Sequence, residues 1–185
     1  MAKKQTKQSP QNNTKQKSKL PYQKIVIAIL AVAVIVFFIV NNFTSNESKV
    51  QYYKFKKEGE LTFTDSVGNL KAKIDLEIAD NEYERQLGLM NRNEMKDNEG
   101  MLFIFPDVDS RSFWMLNTIL SLDMIFIDAD KRIVTIHKNT IPFSQQSYPS
   151  SKPSIYVVEV LSGFTDKHNI QVGDKINWIG VKTGI

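Results

Sequence analysis

Residues 25–40, IVIAILAVAVIVFFIV, are sixteen consecutive apolar residues behind a leader whose only charges are lysines. No other stretch restricts the fold as strongly, because a helix apolar on every side has no face to offer water. At about 1.5 Å per residue the run reaches roughly 24 Å, slightly short of a ~30 Å hydrocarbon layer. Leu20, Tyr22 and Phe43 extend it, with Tyr22 placed for an interface and Lys24 able to snorkel. Three readings compete: an uncleaved anchor, a cleaved signal and a buried core helix. The run exceeds the roughly 15 residues of a signal h-region, and the NNFTSNES that follows has no small-x-small cleavage pair. A core helix fits poorly behind a lysine-only leader. The anchor is therefore the expectation.

Charge sets its direction. Lysines 3, 4, 7, 15, 17, 19 and 24 precede the span without one acid, so the N-terminus is expected in the cytoplasm. The C-terminal part is then periplasmic or extracellular. The leader is low in complexity and nearly free of apolar side chains, which predicts a disordered tail. The whole chain carries +4, so without these seven lysines the remainder carries −3. A mildly acidic domain argues against nucleic acid as a partner. Without cysteine, disulfides, thiolate ligands and a cysteine nucleophile are excluded. With only His137 and His168, a histidine-rich metal site is excluded too. No metal or cofactor is expected. The predicted organisation is a tail at 1–24, an anchor at 25–43, a linker at 44–59 and an extracytoplasmic domain at 60–181.

Within that domain, Ala72, Ile74, Leu76 and Ile78 alternate with Lys71, Lys73, Asp75 and Glu77, which marks a half-buried strand. It pairs with ELTFTDS through a turn at Gly68-Asn69. Asn81 and Glu84 form a capping-box pattern opening a short helix, and Tyr83, Leu87 and Met90 recur as its expected core stripe. Short strands follow: MLFIF, SFWML, DMIFID, RIVTIHK, SIYVVEV and KINWI, with a tight hairpin turn at Asp128–Lys131. The predicted class is α+β: a compact β-rich domain, a curled mixed sheet or small barrel, with one or two short helices behind a transmembrane helix.

Five blocks, in order, carry a resemblance: RQLGLMNR (85–92), GMLFIFP (100–106), FWMLNT with LDMIFID (113–118 and 122–128), YVVEV up to Gly163, and NIQVGDKI (169–176). From about residue 61 to 180 the chain resembles the domain-of-unknown-function family 192. Two positions depart from the family's usual pattern, Leu116 in place of lysine and Ser121 in place of proline. The resemblance implies a compact β-rich fold and brings no reaction with it.

Chemistry has few places to reside. RSFWMLNTILSLDMIFID, residues 111–128, interrupts two apolar runs with Asn117, Thr118 and Asp123. Asp123 must be solvated, protonated or paired. Three readings remain open. The polar groups bond local backbone and fix turns; or Asp123 pairs with Arg85, Arg92 or Arg111; or Asn117, Thr118 and Asp123 meet a ligand, with Trp114 as an apolar wall. Arg85 and Arg92, seven apart, would share a face of a continuous helix. Glu159 sits in an otherwise apolar strand, on the face of Val157 and Leu161, and is either paired or functional. Beside Asp123 it would make an acid/base couple, with His137 as a further base. The loop 139–154 is a plain surface connection or a lid, with Tyr148 its contact-capable side chain. No nucleophile elbow or phosphate-cradling loop is present.

The functional expectation is a bacterial membrane-anchored, non-enzymatic domain that binds a small ligand or an envelope protein. The alternatives are an envelope hydrolase or lyase using Asp123 and Glu159, and a structural accessory subunit of a membrane complex.

Overall fold

The structure, a computed structural model, describes residues 21–44 and 52–180. The tail up to residue 20, linker residues 45–51 and everything from 181 lie outside the described residues. The chain divides into two units, residues 1–49 and 50–185.

Among the described residues of the first is one helix, α1 (Tyr22–Thr44), 23 residues long. Its Tyr22–Val40 segment has a mean hydropathy of 2.8 and is long and apolar enough to cross a membrane. A signal sequence or a core helix meets the same criterion.

The second unit is an α+β domain. Its strands are β1 (Gly59–Thr64), β2 (Leu70–Ala79), β3 (Glu99–Asp109), β4 (Ser112–Phe113), β5 (Leu122–Ile127), β6 (Ile133–His137), β7 (Tyr148–Pro149), β8 (Ser154–Leu161) and β9 (Lys175–Gly180). Helix α2 (Glu82–Leu87) follows β2, and α3 (Phe164–Lys167) follows β8. Seven strands form one sheet in the order β6-β5-β8-β3-β2-β1-β9, and β4 pairs with β7 separately. Among the described strands only β2 and β3 run parallel, so the chain between them must cross over, which it does through α2. The sheet curls until its outer strands meet at one corner. There Ile133 N donates to Asp174 O (2.8 Å) and Ile176 N to Lys131 O (3.0 Å).

Strand alternation divides the apolar side chains between two layers. Leu61, Ile74, Leu102, Val158, Ile125 and Ile176 fill the inside of the curl, and Phe164 of α3 packs against Phe63 with ring centroids 5.7 Å apart. Met101, Phe103, Val157, Met124 and Phe126 point outward and are covered by Leu89, Met115 and Tyr148. Segments 111–122 and 139–149 form this cover.

Four expectations are corrected. SFWML is a strand only at Ser112–Phe113, because Trp114–Thr118 turns over the outer layer. The stripe of Tyr83, Leu87 and Met90 is not core: no residue of α2 is buried and Tyr83 is 66% exposed. Gly88 at φ 48 ends the helix, so Met90 falls out of register and Leu89 enters the core instead. For the same reason Arg85 and Arg92 share no helical face. Tyr148 is no lid: it is buried, and its hydroxyl accepts from Ile141 N at 3.0 Å.

Candidate functional site

Asp123 points into the curl and is fully buried, and its carboxylate is satisfied from two loops. Oδ1 accepts from Asn139 N (3.0 Å) and Gly163 N (3.3 Å); Oδ2 accepts from Thr165 N (3.0 Å) and Thr165 Oγ1 (2.6 Å). Gly163, the N-cap of α3, has no side chain to cap with, so Asp123 supplies the oxygens that the first turn needs. Backbone amides, not an arginine, solve this carboxylate. Asn117 is exposed, in a left-handed turn at φ 55, and its carbonyl accepts from Asn91 N (2.9 Å). Thr118 is buried, and its hydroxyl donates to Leu116 O (3.2 Å).

The arginines are engaged elsewhere. Arg92 is buried in an ion pair with Glu77, whose carboxyl also accepts from Lys56 N (2.7 Å) and is raised above its ordinary pKa mainly by burial. Arg85 donates to the carbonyls of Asp80 and Ile104 and lies 5.5 Å from the centre of the Phe105 ring. Arg111 covers the same ring at 4.1 Å and pairs with Asp107. His137 Nε2 bonds Pro149 O at 2.7 Å, tying β7 to β6.

Glu159 belongs to the opposite face from Asp123. In the register Asp123 pairs with Val160 and Met124 with Glu159, so Asp123 points in and Glu159 points out. The acid/base couple of the alternative reading is not assembled, since the two carboxyls lie on opposite faces of the sheet. Met101 on β3 and Met124 on β5 flank Glu159 directly. Its side chain is buried and burial alone pushes its pKa up to about 8. Among the described residues no cation offsets that cost.

Above Glu159 the cover is incomplete. A groove of about 760 Å³ runs between α2 and the 112–114 and 145–147 segments, over Phe105, Phe113 and Trp114. Trp114 is 56% exposed. Beside it a recess of about 40 Å³ is shared by Arg85, Phe103, Phe113, Trp114, Thr118 and Glu159. Of the residues expected at a site, the structure gathers Trp114, Thr118 and Glu159 here and leaves Arg92, Asn117, Asp123 and Tyr148 elsewhere. Arg85 and Phe105 are the additions. The Phe113-Trp114 pair was the available signal, since adjacent large aromatics on an extended chain point to opposite sides. Among the described residues no three acidic or histidine side chains cluster to hold a metal.

Residues 63–178 match the model of the DUF192 family, described as "Uncharacterized ACR". The chain belongs to this family. A UPF0127 protein of Pyrococcus abyssi is 33% identical over 109 residues, covering 56% of this chain and 86% of the relative. One from Pyrococcus furiosus is 28% identical over 109 residues, covering 57% and 88%. Among solved structures, a Sinorhizobium meliloti protein described as a candidate transcription regulator superposes with a TM-score of 0.64 at 32% identity, covering 70% of this chain and all of its own. A Novosphingobium aromaticivorans protein of unknown function gives 0.61 at 34% identity, covering 64% and 84%. The fold is thus shared with these two solved structures, and the sequence is similar to the Pyrococcus proteins.

Proposed function

We propose that this DUF192 protein is a membrane-tethered, non-enzymatic binding domain on the outer side of the cytoplasmic membrane, and that the Trp114 groove takes its ligand. The carrying observation is Glu159: a buried carboxyl with no charged partner among the described residues, beside an open aromatic groove. Buried polar groups are ordinarily hydrogen-bonded, and one left open to a cavity is what a ligand would satisfy. The tether rests on the apolar Tyr22–Val40 helix behind a lysine-only leader. Hydrolysis by Asp123 and Glu159 is not retained, because the sheet separates the two.

Accessory contact with an envelope protein is a second reading, favoured by Ile141 (59% exposed) and Phe143 (61% exposed) on the segment beside Trp114. Phe143 also holds a left-handed backbone at φ 58, a conformation that bulky residues rarely adopt. The test is a thermal-shift screen of small aromatic and aliphatic fragments on the full chain in detergent. Fragments that raise Tm should lose that effect in Trp114→Ala; stabilisation undiminished in that variant would refute the groove.

A further inference from the structure

We propose that the recess above Glu159 is an ammonium site, taking a primary amine carried on a slim apolar stem that lies along Phe113 and Trp114. The inference rests on the groove reading above and names its ligand class. Three features of the recess select this chemistry.

The first is size. At about 40 Å³ the recess is far smaller than the groove of about 760 Å³ beside it and suits a compact head group such as an ammonium. The second is the wall. Phe103, Phe113 and Trp114 all line the recess, and aromatic faces attract a cation more than a neutral polar head. The third is the acceptor. Glu159 has no counter-ion among the described residues, and an ammonium docked against it supplies the charge that makes ionisation favourable. Uncharged side chains make up most of the surroundings of Glu159. β3 offers Met101 and β5 offers Met124, both uncharged. The 113–118 segment offers Phe113, Trp114 and Thr118, also uncharged, and Arg85 of α2 is the one other charge lining the recess. Arg85 is held back by the carbonyls of Asp80 and Ile104 and by the Phe105 ring. Glu82 lines the wider groove and offers a second carboxylate to a ligand with two amines.

The proton balance is fixed by this arrangement. Below about pH 8 Glu159 is mainly protonated, so binding an ammonium expels one proton from its carboxyl to water while the amine keeps its own. Affinity should therefore rise about 50-fold between pH 6 and pH 8, the ratio of ionised fractions for a group that titrates near 8.

The amine could be free or belong to a lysine of a partner, and isothermal titration of the full chain in detergent separates the two. The probes are 1,5-diaminopentane, the acetylated, amidated peptide Gly-Gly-Lys-Gly, and 1,5-pentanediol as the neutral control. Either amine should bind with release of about one proton per site at pH 7, read from buffers of different ionisation heat. Binding by the diamine alone points to a free amine, and binding by the peptide to a lysine. Glu159→Gln should weaken binding at least tenfold at pH 8 and abolish proton release, with a thermal melt confirming that it is folded. Pentanediol binding as tightly as the diamine would overturn the ammonium site and leave the groove standing. Failure of both amines, or undiminished binding by Glu159→Gln, would overturn the ammonium site as well.

Discussion

Burial keeps the Glu159 carboxyl protonated well above the usual carboxylate range, and that has a sign that can be measured. An unfolded glutamate ionises near 4.5, whereas Glu159 in the folded chain ionises near 8. Its contribution to stability is complete below the unfolded value and is lost as pH climbs through 8. Glu159→Gln stays neutral throughout. Its unfolding free energy relative to the parent should therefore increase by several kcal/mol from pH 5 to pH 8, in urea melts at the two pH values. A constant difference would mean the carboxyl is not buried as described. Asp123 predicts the reverse outcome: Asp123→Ala leaves the Asn139, Gly163 and Thr165 amides without their acceptor and should cost about 3 kcal/mol or more at pH 7 in the same assay. The side of the sheet that Glu159 occupies could be read from strand parity. The partners of Asp123 could not, because its donors lie 16 to 42 residues away.

At the scale of elements, β5, β6, β8 and β9 were legible because each is a run of apolar residues bounded by turn formers. Asp128 anchors the β5–β6 hairpin as expected, with Oδ1 accepting from Asp130 N and Arg132 N at 2.9 Å each. The cover over the outer layer was not legible, since it is built from short irregular segments joined by long-range bonds. Tyr148 is the clearest of these. It lies in a proline-rich loop, where its hydroxyl closes the loop on Ile141 N, the β4–β7 pairing joins the loop to Ser112–Phe113, and the bond between His137 and Pro149 ties it to the sheet. Tyr148→Phe removes one buried acceptor and should cost about 1 kcal/mol, read as a few degrees of Tm. An unchanged Tm would show that the loop does not depend on this bond.

For the whole molecule the proposed topology makes a separate prediction. Protease added to intact, wall-stripped cells should digest residues 52–180 and spare an epitope at the N-terminus; a protected domain would reverse the orientation. The lysine-only leader and the apolar run carry that expectation, and both are plain in the sequence. The meeting of β6 with β9 was not. It depends on turns at 131–133 and 173–176 that reach each other only after seven strands have curled. With that seam partly sewn, the domain presents little unpaired ladder backbone for another chain to extend. A visiting molecule must be recognised through side chains, and so an association partner should be sensitive to the identity of single groove residues while a generic β-forming peptide finds no template.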